Sequence, residues 1–151
     1  MIVGIIGSGG REHAICSKIK DSKKIEKIYC IPGNAGTAAI AENIENIYCF
    51  PGNAGTAKIA INISLNLEKF DNLKNFILEQ KIDLMIIGPE KPLVDGMVDY
   101  LEKFNIKVFG PNKIASQLEG SKIFTKQLCE KFNIPTAKFG IFENINSAQK
   151  F

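Results

Sequence analysis

The stretch IVGIIGSGGREHA (residues 2–14) decides how the chain is read. Ile2 to Ile6 form a short apolar run, Gly7-Ser8-Gly9-Gly10 follow, and a charged, helix-compatible segment begins at once. A strand that runs through glycines into a helix leaves backbone N–H groups uncovered at the positive end of the helix dipole, a place suited to an anion such as phosphate. A glycine-rich turn without a ligand is the plainer reading of the same residues, and the rest of the chain has to choose between them.

Downstream, the chain alternates. Arg11 to Asp21 reads as a helix with Ala14, Ile15 and Ile19 inward, and IEKIYCI (25–31) reads as a strand ending in Pro32-Gly33-Asn34. INISL (61–65) is a further strand candidate, and Asn66 is suited to cap a helix over 67–80 that keeps Phe70, Leu73, Phe76 and Ile77 on one face. IDLMII (82–87) is a continuous apolar run, as expected of a strand covered on both faces, and it ends in Gly88-Pro89-Glu90. A helix over about 93–104 carries Leu93, Met97, Val98, Leu101 and Phe104 inward, and IKVFG (106–110) gives a short strand. A helical stretch then runs to Gly120, Ser121 caps another to Phe132, KFGIF (138–142) is a strand candidate, and NSAQKF at 146–151 has helical character. Strand–helix alternation at this spacing predicts an α/β fold with a doubly wound parallel sheet, whose ligands bind at the carboxyl ends of the strands. The loops 7–12, 32–37 (or 51–56) and 88–92 all fall at such ends.

One feature is unusual. IEKIYCIPGNAGTAAIAENI (25–44) is followed by IENIYCFPGNAGTAKIAINI (44–63), and at an offset of 19 the 20 aligned positions differ at four: Lys27/Asn46, Ile31/Phe50, Ala39/Lys58 and Glu42/Ile61. This is a tandem duplication of a strand–loop–helix unit (25–43 and 44–62). Two copies are too few for a solenoid. They offer two occupants for one place in the fold, and a unit of this length can also serve as a parallel crossover, so that both strands enter the sheet. The short link from the first helix favours the first copy in the parent position.

Composition excludes several classes. A net charge of +3, with lysines scattered among acids, gives no basic patch of the kind nucleic acid needs. No stretch is long enough to span a membrane, and the first apolar run is too short for a signal peptide and has no basic segment before it, so a cytoplasmic location is expected. Cys16, Cys30, Cys49 and Cys129 form no C-x-x-C, and the single histidine, His13, cannot complete a zinc site with them; buried thiols are expected. A dinucleotide fold wants a third glycine where Glu12 stands and an acidic residue at the end of the second strand, where Pro32-Gly33-Asn34 or Pro51-Gly52-Asn53 stands. Both tests fail, and a nicotinamide-dependent oxidoreductase is set aside. Arg11 can grip phosphate as a charged fork, while Glu12 and Glu90 can accept bonds from hydroxyls or an amine. No nucleophile–base set, metal cluster or P-loop can be assembled. The set describes a pocket for a small phosphorylated sugar.

The motifs GSGGREHA (7–14), PGNAGTA (32–38 and 51–57), GPEKPLVDG (88–96), FGP (109–111) and QLEGSKIFTK (117–126), in that order, resemble the N-terminal part of the phosphoribosylamine–glycine ligase (glycinamide ribonucleotide synthetase) family. The resemblance runs to about residue 142. It implies a phosphoribosyl-substrate-binding α/β domain over 1–119 and the start of an ATP-grasp domain over 120–151. It also implies an ATP-dependent joining of glycine to 5-phosphoribosylamine through a glycyl phosphate, in purine biosynthesis. Gly9, Gly10, Arg11 and Glu12 would then lie near the phosphate and sugar, with Asn34, Gly36 and Thr37 alongside, Glu90 at the ribose and Lys122 near the ATP phosphates. Magnesium would be held by acids absent from these residues, so the chain alone is expected to lack ligase activity. A non-catalytic phosphosugar-binding module is the alternative. The family carries the PGNAGTA unit once, which leaves Asn34 and Asn53 as rivals for one role.

Overall fold

The structure, a computed structural model, describes residues 1–32, 48–49, 61–62 and 69–150. Among these, six strands form one parallel sheet: β1 (Ile2–Ile6), β2 (Lys27–Ile31), β3 (Tyr48–Cys49), β4 (Ile61–Asn62), β5 (Leu84–Ile87) and β6 (Val108–Phe109). The strand order is β4-β3-β2-β1-β5-β6, every pair being parallel. The described helices are α1 (Gly10–Ile19), α2 (Phe70–Glu79), α3 (Glu90–Asp95), α4 (Met97–Glu102), α5 (Lys113–Gly120), α6 (Lys122–Lys131) and α7 (Ile145–Ala148).

The two-residue period of the central strands sorts their side chains to opposite faces. Val3 and Ile5 of β1, with Ile28 and Cys30 of β2, face α1 and bury Cys16, with Ile15 and Ile19 packed against them. On the other face, Ile6, Tyr29, Ile31, Met85 and Ile87 meet Leu73, Phe76 and Ile77 of α2 and Met97, Val98 and Leu101 of α4. This is the doubly wound α/β arrangement expected from the sequence. The Met85 side chain of β5 lies over Gly4 of β1, in the space that a Cβ there would need. Tyr29 is buried with its ring edge-on to Phe76, and its hydroxyl donates to Gln80 Oε1 at 2.8 Å. A buried phenol keeps its place only with such a partner.

Several local expectations are corrected. The inward face of α1 is Glu12, Ile15, Cys16 and Ile19, while Ala14 is exposed, because the helix turns its polar first residues toward the glycine loop. The helix expected over 93–104 is two helices. Gly96 sits between them at φ +92°, ending α3 and starting α4, a left-handed conformation that glycine adopts without penalty. Phe104 therefore lies beyond α4, 42% exposed, its ring 5.2 Å from Tyr100. The second helix starts at Phe70 with Lys69, not Asn66, as its cap residue. Residues 138–142, exposed except for the half-buried Phe139, form no strand, since no strand edge lies beside them among the described residues. The expected loops 33–37 and 51–56 and the end of the 61–65 strand lie outside the described residues, as does most of each repeated unit.

The C-terminal third is capped as the sequence suggests. Asn112 accepts from Ala115 N at 2.9 Å to start α5, and Ser121 accepts from Phe124 N at 3.2 Å to start α6. Asp99 of α4 takes Lys113 N–H at 2.7 Å, tying α5 to the body.

Gly96→Ala is expected to cost about 1–2 kcal/mol, the penalty for a side chain in the left-handed region. Urea unfolding followed by circular dichroism measures it, and an unchanged midpoint would contradict the role given to the break.

Candidate functional site

Three strand ends meet at the middle of the sheet, where the winding reverses between β1 and β5. Gly7 N–H donates to Ile31 O of β2 at 2.6 Å, and Gly88 N–H donates to Ile6 O of β1 at 3.1 Å. The loops after β1, β2 and β5 are thus stitched together by backbone bonds. A doubly wound sheet binds its ligands at this switch point.

The glycine loop is held from inside by Glu12. Its side chain is buried, at 4% exposure for the residue, and Oε2 accepts from Gly9 N–H at 2.7 Å. Glu12 is the third residue of α1, so the bond closes the helix entry as the glutamate half of a capping box. The carboxyl group fits only because its neighbours lack side chains. A Cβ on Gly88 would fall 1.9 Å from Glu12 Oε1, and one on Gly7, which lies at φ +128°, would fall 2.6 Å from Glu12 Cδ. The nearest described cation is Arg11, its Nε 3.8 Å from Oε1 and its side chain 59% exposed. Sequence reasoning cast Glu12 as an open acceptor for ligand hydroxyls or an amine. The structure places it beneath the loop.

What the loop turns outward is Ser8, Gly9, Gly10 and Arg11, all exposed. The first N–H groups of a helix lack acceptors within it. Here His13 is the first to bond back, to Gly9 O at 3.1 Å, which leaves the N–H groups of Gly10 and Arg11 at the entrance to α1. Among the described residues, a Cβ on Gly10 would meet nothing within 4 Å, so they leave that side of the loop open. His13 itself is half-buried on α1.

Beside the loop lies a cavity of about 490 Å³ lined by Ile6, Pro32, Phe70, Pro89, Lys91, Pro92, Asp95 and Met97. It is chiefly apolar, and Lys91 Nζ is engaged by Asp95 Oδ2 at 2.6 Å. Glu90, the first residue of α3, is exposed and lines a smaller cleft of about 170 Å³ against Pro111, Ser116 and Glu119 instead. The two openings lie on either side of the start of α3. Lys122 is exposed at the first position of α6. Asn34, Gly36 and Thr37 lie outside the described residues.

Sequence reasoning missed a contact behind the site. Cys16 Sγ of α1 and Cys30 Sγ of β2 are 2.9 Å apart, both buried and neither in a disulfide. The Cys30 contact lowers the pKa of the Cys16 thiol, against opposing effects of burial and the charge of Glu12 one turn earlier. The only available signal was that both cysteines fall on inward positions of their elements. Among the described residues, no group of three His, Cys, Asp or Glu could hold a metal ion, and no helix is long and apolar enough to cross a membrane.

The sequence matches the family described as phosphoribosylglycinamide synthetase, N domain, in two stretches, residues 1–46 and 39–119, which overlap inside the repeat. The chain belongs to that family. Among curated relatives, the phosphoribosylamine–glycine ligase of Caldanaerobacter subterraneus subsp. tengcongensis is 45% identical over 151 residues, all of this chain and 32% of the relative. That of Mesorhizobium japonicum is 43% identical over 151 residues, again all of this chain and 31% of the relative. A crystal structure of the ligase from Thermotoga maritima, 28% identical, aligns over 93% of this chain and 27% of its own, with a TM-score of 0.48. The chain thus spans about a third of the length of the curated relatives it matches.

Two glycines distinguish the clamp from the open side of the loop. Gly88→Ala is expected to displace Glu12 and cost about 1–3 kcal/mol, as overfilling a packed site does, while Gly10→Ala should leave the urea midpoint nearly unchanged. Equal effects of the two substitutions would show that Glu12 does not hold the loop.

Proposed function

We propose that this chain supplies the phosphoribosyl-substrate site of an ATP-dependent ligase that joins glycine to 5-phosphoribosylamine, through glycyl phosphate, in purine biosynthesis. The observation that carries the reading is the glycine loop at the switch point of a sheet that belongs to this family, with its outer N–H groups and Arg11 open and its inner side locked by Glu12. The substrate's phosphate dianion is received by the N–H groups of Gly10 and Arg11, with Gly9 giving close backbone approach. The Arg11 guanidinium adds a forked, charged contact. Asn34, Gly36 and Thr37 complete the pocket from the loop after β2. Glu90 meets the ribose hydroxyls of a substrate that lies across the start of α3. Glu12 contributes by fixing the loop, since a charge-assisted bond of this kind is worth about 1.5–3 kcal/mol.

In this reading residues 1–119 form the substrate domain and 120–151 begin the ATP-grasp region, with Lys122 turned to the ATP phosphates. ATP drives the reaction by activating the glycine carboxylate. The residues of this chain bind and orient the sugar phosphate, and the acids that hold magnesium belong to the rest of the ligase. The partners are small molecules.

Isothermal titration with ribose 5-phosphate tests the site. Arg11→Ala should weaken binding roughly tenfold, the loss of about 1.4 kcal/mol of charged contact, and an unchanged affinity would remove Arg11 from the pocket. With ATP, magnesium, glycine and phosphoribosylamine supplied, the purified 151-residue chain should form no glycinamide ribonucleotide. Product formation would overturn the division of labour.

A further inference from the structure

The repeat gives the sheet two nearly identical candidates for the strand beside β1, and the structure uses the first. β2 (27–31) pairs with β1 along five residues, from Ile2↔Lys27 to Ile6↔Ile31. β3 pairs with the far side of β2 at Cys30↔Cys49, residues separated by the 19-position offset of the repeat. Copy two therefore starts one strand further out, about 10 Å from β1 by ordinary strand spacing. Among the described residues, it is the end of β2 that is bonded to the glycine loop, through Gly7 N–H and Ile31 O, and its next residue, Pro32, lines the large cavity.

Two of the four differing positions explain the choice. Ile31 is fully buried in the core cluster with Ile6 and Ile87, and the corresponding residue in copy two is Phe50, whose ring would overfill that site. Lys27 reaches the Tyr29 hydroxyl at 3.4 Å and lies 5.4 Å from the ring centroid, a reach the shorter Asn46 lacks. The residues that pack most closely elsewhere, Tyr29 and Cys30, are the same in both copies as Tyr48 and Cys49 and do not discriminate.

We infer that the ligand site is built on the first copy alone, and that the second copy is an outer addition to the sheet that takes no part in binding. For binding, this rests on the ligand reading above. The strand assignment stands apart from it.

Point substitutions separate the copies, because removing either 19-residue unit leaves chains that differ only at the four positions above and the remaining copy would fill the inner place. Ile31→Ala should lower the melting temperature by roughly 10 °C, as a large core truncation does in a domain of this size, and Phe50→Ala by less than a third of that. Equal shifts, or the reverse order, overturn the assignment. Diamide, which takes two electrons and two protons from a pair of thiols, should yield a Cys16–Cys30 disulfide on peptide mapping, and a Cys16–Cys49 link would contradict the inference. In titrations with ribose 5-phosphate, Asn34→Ala should weaken binding at least tenfold and Asn53→Ala should not. Weakening by Asn53→Ala refutes the binding half. Failure of the unsubstituted chain to bind refutes the ligand reading itself, while the thermal comparison still decides which copy is inside.

Discussion

Everything at the carboxyl edge of this sheet depends on one buried carboxylate. Glu12 takes the Gly9 N–H and fills the space that Gly7 and Gly88 leave by having no side chains. The bond fixes where α1 begins, the bulk of the side chain fixes how near the loop after β5 comes to the loop after β1, and the backbone bonds Gly7–Ile31 and Gly88–Ile6 bind both to the strands. A charge-assisted bond in a dry site is strong, and its loss leaves a buried group without a partner. The loop can therefore present its outer N–H groups to a ligand without needing that ligand to hold its shape, which reduces the ordering cost of binding.

The division between a locked inner side and an open outer side also explains why the large cavity is apolar. Pro32, Pro89 and Pro92 form its wall with Ile6, Phe70 and Met97, and the polar side chains beside them are those of Lys91 and Asp95. Pockets for small molecules commonly join an apolar body to a few placed polar groups. Glu90 and Lys91, adjacent in sequence, serve different openings because consecutive helix residues point about 100° apart.

The fold was legible where the pattern was strong. The apolar runs at 2–6 and 82–87 and the helical spacing of Leu73, Phe76 and Ile77 led directly to the central strands and α2. What stayed hidden was set by contacts between distant residues. Gly96 breaks a helix that its apolar spacing favours, because hydrophobic period says nothing of backbone handedness. The strand expected at 138–142 had the right composition but no neighbouring edge among the described residues, and β-propensity is mainly a response to such neighbours. In the site, the loop's position was readable from its glycines. The inward turn of Glu12 was not, since it depends on Gly88 lying beside it, 76 residues further along the chain.

The register Cys30↔Cys49 has a consequence for how the chain reaches its native state. A funnel with a clear gap requires that rival arrangements be distinctly worse than the native one. This chain carries a rival within itself, a second strand that matches the inner one at every buried position save that of Ile31. The gap that separates the two pairings is therefore concentrated in very few side chains. A near-degenerate rival of that kind is frustration in the folding landscape. In this chain, Ile31 beside the glycine loop and Lys27 at the other end of the strand sort one pairing from the other.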